Sequence, residues 1–462
     1  MEHREVFEGI YNSRCIEGVF DEQGAHIESF PEMNGGMRMR FRDFHLNIKI
    51  RIIESLLSSS ASNMIYPFMT IYFANALGVG IAGIILSVSI IFGMISSFIG
   101  GYYSDRFGRK KIWATAESIK FVSIVTMTLV NGPLNHSIEV SAYITMCMMI
   151  LNSLCAGFSG PAATAMLIDV SSPENRKYMY SIIYWANNIS IAVGAILGGL
   201  LFENYFFELL LAFSVLVAIS TLLIIFFIKE SYVPSSSGER TEKTSLKSIS
   251  KSYLGVFKDK LFIHSTLALL LLVSLEFQLM NYIAVKLYDI DGKSQNIPFI
   301  DMKIEGASML GILRAENTII VIFFVFIANY FIKKYMDKHV LIMGLIIYSL
   351  GYLIISYSEN LIILVCAMFF ASIGELLYTP VHNNYLASMI PDSSRSTYLA
   401  INDLVTRGAL LISYLCVSIS SILDSWMMTS MFCVFAVIGL GVFIKLLPLM
   451  EEKRLDSLKN SA

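Results

Sequence analysis

The sequence predicts an all-α membrane protein with 12 transmembrane helices in two pseudo-symmetric six-helix bundles. Three observations carry that expectation. Apolar residues make up 55% of the 462-residue chain and charged ones only 15%, with a mean hydropathy of +0.64. A soluble chain would carry more charge and interrupt its apolar stretches about every dozen residues. Apolar runs of about 20 residues, enough to cross roughly 30 Å of hydrocarbon, recur along the whole chain. One long polar stretch near the middle separates two sets of such runs. The net charge of −2 points to no nucleic-acid partner, because the charges are confined to loops and tails.

Residues 1–46 are a polar N-terminal tail. Its first part, residues 1–36, lacks an apolar core and so is not a signal peptide. Gly35-Gly36 precedes Met37 and Met39, either of which would serve as an alternative start, and the tail is expected to be dispensable. The first bundle, 47–230, holds spans near 48–74, 81–100, 112–130, 140–168, 178–202 and 208–228. Residues 231–260, including Pro234-Ser-Ser-Ser-Gly238, read as a soluble linker. The second bundle, 261–448, holds spans near 261–287, 311–332, 340–357, 361–389, 397–420 and 426–447, and a charged tail occupies 449–462.

Loop charges set the expected orientation. Arg106 to Lys111, Arg176-Lys177, the linker, Lys333-Lys334-Lys338, Arg395 and both tails fall on one side. The opposite loops carry almost no Lys or Arg apart from Lys293 and Lys303. The positive-inside rule then puts both termini in the cytoplasm of a multi-pass cell-membrane protein. An internal repeat supports the division: Pro161 to Arg176 and Pro380 to Arg395 share a Pro, a helical run, a turn and an Arg, and they end spans 4 and 10.

Between spans 2 and 3 lies Gly101-Tyr-Tyr-Ser-Asp105-Arg106-Phe-Gly108-Arg109-Lys110-Lys111. So short a connection demands a tight hairpin. Gly101 is expected to let the helix pack closely, and Gly108 to permit the reversal. Asp105 can face a helix N-terminus or the Arg106 and Arg109 side chains, while the basic residues anchor the cytoplasmic side. A loop that only sets orientation would need the charges but not this spacing.

The spacing resembles the G-x-x-x-D-R-x-G-R-[RK] motif of the major facilitator superfamily, which joins its second and third helices. The arrangement of six spans, linker and six spans resembles the same superfamily.

An acid inside an apolar span costs roughly 2.5–3.5 kcal/mol on insertion scales, so each one needs a reason. Glu375 lies halfway along span 10, next to Gly374, and Pro380 leaves a carbonyl one turn back without its donor. A carboxyl group there is expected to exchange protons near neutral pH; the competing reading is a permanently neutral Glu joining helices. Glu276 lies at similar depth in span 7, with Gln278 and Asn281 nearby, and Tyr378 is one turn from Glu375. Arg51/Glu54, Glu117/Lys120 and Asp403/Arg407 have the spacing of ion pairs within one helix and read as structural. Asp169 ends span 4 close to Arg176.

Tyr66, Tyr72, Tyr184 and Trp185 are candidates to line a greasy cavity. The Cys residues form no C-x-x-C pair and read as small buried hydrophobes, so no disulfide framework, metal site or cofactor is expected. No H-E-x-x-H, G-x-S-x-G or G-x-x-x-x-G-K-[ST] stretch occurs, which argues against an enzyme and against ATP as the energy source.

Gly194-Ala-Ile-Leu-Gly198-Gly199 resembles the superfamily's antiporter motif with Ala195 where Pro is usual, and Asn152 stands where many members place an Arg. Met69-Thr-Ile-Tyr72, Ile168-Asp169 through Arg176-Lys177, Tyr184-Trp185-Ala-Asn187-Asn188 and Gly374-Glu375 through Pro380 resemble the LmrP-type multidrug/proton antiporters. That resemblance implies gating by Asp105 and Asp169, and proton and cationic-drug binding by Glu375. Ile183 and Met280 depart from it where that branch can carry further acids. The expected function is proton-coupled export of lipophilic, often cationic small molecules by a monomer through alternating access. A lipid or glycolipid flippase, or a small-solute/proton symporter of the same fold, is the alternative, and a membrane-embedded enzyme or receptor the remote one.

Overall fold

Pro67 and Gly78 shape the first span. Helix α1 (Leu46–Ile65) runs into a 3-10 turn (Tyr66–Phe68), where Pro67 removes an amide donor, and then into α2 (Met69–Leu77). Gly78, at φ +88°, turns the chain into α3 (Val79–Phe107). This computed structural model describes residues 44–134, 137–171, 173–231, 254–288, 295–297, 300–304, 306–391 and 395–461. The N-terminal tail, most of the linker and the side chains of Asp105, Arg176 and Asp403 lie outside the described residues.

Helix α3 continues through Asp105 and Arg106, so the polar motif is a helix end rather than a loop. Gly108 alone separates it from α4 (Arg109–Val130), and its φ of +95° is the left-handed conformation that a Cβ resists. The close approach expected at Gly101 falls one residue earlier. A Cβ on Gly100 would lie 2.6 Å from Phe158 Cα, whereas one on Gly101 would meet only Pro161 Cβ at 4.0 Å. Helices α5 (Ile138–Asp169), α6 (Pro173–Leu201) and α7 (Phe206–Phe227) complete the first half.

In the second half, α8 (Lys260–Gln278) breaks at Leu279–Asn281 before α9 (Tyr282–Tyr288). A short antiparallel pair follows, β1 (Gln295–Ile297) and β2 (Ile300–Ile304), with Gln295 opposite Ile304. The all-helical expectation missed it, although Ile300-Asp-Met302-Lys-Ile304 alternates with the period of a strand. Then come α10 (Gly306–Lys334), α11 (Asp337–Tyr357), α12 (Leu361–Met389), α13 (Arg395–Ile419) and α14 (Ser425–Ser461). Helix α14 passes Pro448, so the segment read as a separate charged tail extends the last helix.

Among the described residues, 10 helices are long and apolar enough to cross a membrane. The first and eleventh expected spans are occupied by the broken segment Leu46–Leu77 and by α13, whose apolar part is Leu404–Ile419. Cys155 and Cys416 are buried as expected, but Cys147, Cys366 and Cys433 are exposed.

Between the halves, α3 packs on α13 and α6 on α10. These are spans 2 with 11 and 5 with 8, which a two-fold shift of six spans interconverts. Gly199 and Gly311 allow the second contact: a Cβ on Gly199 would lie 2.9 Å from Gly311 Cα. Hydrogen bonds between the halves gather toward the end away from Gly108. They join Thr70 to Asn281 (2.8 Å), Ser308 to the Gly199 carbonyl (2.9 Å), the Ala307 amide to Glu203 (3.1 Å) and Ser418 to the Gly80 carbonyl (2.8 Å). These bonds clasp the halves at the end away from Gly108.

Candidate functional site

Polar side chains from α8, α10, α11 and α12 converge inside the second half. Glu375 accepts a hydrogen bond from Asn317 Nδ2 at 2.9 Å, and the same amide reaches Ser372 Oγ at 3.0 Å. Glu276 accepts one from the Tyr348 hydroxyl at 3.1 Å. Gly374 brings α12 against α11, since a Cβ there would lie 2.4 Å from the Tyr348 amide nitrogen. Tyr378 makes no hydrogen bond to Glu375 among the described contacts. Its ring stands edge-on to Tyr348, with centroids 5.0 Å apart, and so buttresses the partner of Glu276.

Arg314 on α10 lies within electrostatic reach of Glu276 and Glu375. Its guanidinium contacts Met280 Sδ at 3.0 Å and, across the interface, Asn63 Oδ1 on α1 at 3.5 Å. Glu276, Arg314, Asn317 and Glu375 are all half-buried. The fourth sequence candidate, Asn281, is 2% exposed and engaged on both sides of its amide. It accepts from Thr70 and donates to the Phe277 carbonyl at 2.7 Å and to Ser413 at 2.8 Å. It therefore joins spans 1, 7 and 11 where spans 1 and 7 both break.

Arg314 and Asn317 were missed by the sequence reading, along with Glu316. All three lie a short way into span 8, where the cost of a charge inside an apolar span would have pointed to Arg314 and Glu316, though not to the neutral Asn317. Glu316 does not join the site. It stands about 200° around α10 from Arg314, on the stripe that carries exposed Ile319, Phe323 and Ile327.

In the first half, Arg51 and Glu54 pair as expected, Ser220 donates to Glu54 at 3.2 Å, and Lys120 lies 3.4 Å from Glu117. These charges and Ser55, Ser58 and Ser59 line a cavity of about 160 Å³. Asn152 accepts from the Tyr66 hydroxyl at 2.7 Å and Tyr72 donates to Asn131 at 2.6 Å, whereas Tyr184 and Trp185 are largely exposed.

At the Gly108 turn, Arg109 forms an ion pair with Asp169. Asp169 also accepts from Ser231 Oγ at 3.0 Å. The Glu230 carboxylate receives the backbone amides of Arg109 and Lys110 at 3.1 and 3.0 Å, an anion on the N-terminus of α4. Arg106 is exposed and reaches only Tyr102 and the Phe107 ring among the described contacts.

The family model of the Major Facilitator Superfamily matches residues 53–313 and 297–461. A Na(+), Li(+), K(+)/H(+) antiporter of Planococcus maritimus is 28% identical over 78% of this chain and 86% of its own length. The multidrug resistance protein MdtH of Salmonella typhimurium is 23% identical over 76% of this chain and 81% of its own. Among solved structures, a peptide transporter POT in complex with sulfate superposes with a TM-score of 0.67 at 15% identity, covering 90% of this chain and 96% of that one. A D-xylose–proton symporter gives 0.63 at 13% identity, covering 87% and 96%. At these identities the structures share the fold.

Proposed function

The chain belongs to the major facilitator superfamily, and we propose that it is a proton-coupled antiporter that exports lipophilic, often cationic small molecules as a monomer in the cell membrane, with both termini cytoplasmic. It is a transporter rather than an enzyme, and a multi-pass membrane protein. The observation that carries the reading is Glu375, a carboxylate held by Asn317 halfway along its span, with a second carboxylate, Glu276, in the same cluster. A proton and a cation both neutralise such a group, and only one can do so at a time. Hydrogen bonds that join the halves at the end away from Gly108 fit a closed outer gate in alternating access, with the Gly108 end as the cytoplasmic one. The multidrug name of one relative supports the organic substrate class.

A second reading has its own support. The relative from Planococcus maritimus is named for inorganic monovalent cations, and the same carboxylates suit them. Proteoliposomes with an imposed pH gradient separate the two. Ethidium accumulation driven by the gradient, without pH dissipation on adding Na⁺, Li⁺ or K⁺, is expected from drug export. Dissipation by those ions with no ethidium movement would replace that reading with the inorganic one.

A further inference from the structure

Arg314 is a sparsely partnered charge within the cluster. Its Nε is buried without a hydrogen-bond partner. One terminal nitrogen rests on a thioether, a weak acceptor, and the other contacts Asn63 at the outer limit of hydrogen bonding. Glu276 faces it from α8, Tyr352 from α11 and Glu375 from α12, yet neither carboxylate closes an ion pair with it. A guanidinium keeps its charge inside a protein. The cluster therefore contains a permanent positive charge held close to two carboxylates but not consumed by them.

We propose that Arg314 is a specificity residue that restricts the site to singly charged cations. The proposal rests on the reading above, in which Glu375 and Glu276 are where cation and proton compete. With both carboxylates ionised, the three side chains sum to one negative charge. One monovalent cation brings that sum to zero, whereas a dication leaves an excess positive charge in a region of low dielectric, where unbalanced charge is costly. With both carboxyls protonated, Arg314 leaves the site positive, and it then repels a cation of either class. Without Arg314 the ionised site would carry two negative charges and suit a dication.

Ethidium and propidium share an aromatic core and differ by one positive charge, so their affinity ratio reports the charge of the site. Binding of each to purified full-length protein is read by fluorescence, at a pH where ethidium binds the wild type. Arg314→Gln is expected to raise the propidium-to-ethidium affinity ratio on the order of tenfold, about 1.4 kcal/mol. The double change Glu276→Gln with Arg314→Gln removes one charge of each sign and should return the ratio to the wild-type value. Met280→Glu, which puts a carboxylate against the guanidinium, should raise the ratio with Arg314 still in place.

An unchanged ratio in folded Arg314→Gln overturns the proposal. If that variant does not fold, an unchanged ratio in Met280→Glu does so. Failure of the antiport reading would show separately, as wild-type ethidium binding that does not weaken when protons are added.

Discussion

Arg109, the first residue of α4, closes an ion pair on Asp169, the last residue of α5. Glu230 and Ser231, just beyond the sixth span, bind the same two elements, so one node fixes the α3–α4 turn to α5 and to the start of the linker. The pair is partly exposed, and such pairs contribute roughly 0–1 kcal/mol to folding. Its effect should therefore appear in the balance of transport states, where about 1 kcal/mol shifts populations roughly fivefold. Asp169→Asn is expected to insert and fold normally while ethidium transport per molecule falls several-fold. Spin labels across the Gly108 end should report altered distances. Unchanged transport and unchanged distances would leave the node as an anchor only.

Asn281 concerns the opposite end. Its side chain links Thr70 of the first half to Ser413 of the second, in buried surroundings. Truncation strands the Thr70 hydroxyl, at about 1–3 kcal/mol for a buried group left unsatisfied, while Ser413 keeps its bond to the Leu410 carbonyl. Asn281→Ala should lower the melting temperature in detergent and increase labelling of cysteines placed at the clasped end. A variant with wild-type melting and wild-type labelling would show that the contact contributes nothing to the clasp.

Asp259 gives a pH dependence outside the membrane. It caps α8 through the Phe262 amide at 3.1 Å, lies 3.2 Å from Lys453 on the extension of α14, and accepts from Tyr398 at 3.1 Å. Burial acts to raise its pKa, but the Phe262 amide, the Lys453 ammonium and the Tyr398 hydroxyl outweigh burial and hold it below the ordinary carboxylate range. A depressed folded-state pKa contributes stability that is complete above the unfolded value, about 3.9, and is lost as pH falls through the lower folded one. Asp259→Asn should thus melt below the wild type at pH 7, with the gap closing as pH drops below about 3.9. A gap that persists in strong acid would assign the effect to packing.

The broad fold was legible because apolar runs of membrane length admit few other readings, and Gly108 was legible because only a reversal explains its spacing. Less visible were features that depend on partners far apart in sequence. Asp169 pairs with Arg109, sixty residues away, a partner that its sequence neighbourhood does not suggest. Residues 449–462 read as a charged tail separate from the last span, yet α14 continues past Pro448, and Arg454 reaches Asp337. Asn281 looked like a ligand because it is polar and deep, but its hydrogen-bond capacity is used in joining the halves. The most consequential omission was Arg314: it changes the charge of the cluster in which the two acids singled out by their depth lie.

Glu375 provides the decisive test of coupling. Facing outside, its carboxyl would take a proton; facing the cytoplasm, it would release that proton and meet a cationic compound. Exclusive occupancy by one or the other links the two fluxes, because each ligand lowers the affinity for its rival. The membrane potential contributes roughly 2.3 kcal/mol per charge per 100 mV, so even one net charge moved per cycle supplies useful driving force. Glu375→Gln keeps the shape and can still bond to Asn317, which stands 2.9 Å away, but it cannot titrate. It should abolish ethidium transport driven by a pH gradient and weaken binding of cations more than of neutral analogues, with melting close to the wild type. Should the Gln variant still concentrate ethidium at the wild-type rate, Glu375 is structural, and Glu276, bonded to Tyr348, becomes the carboxylate that couples.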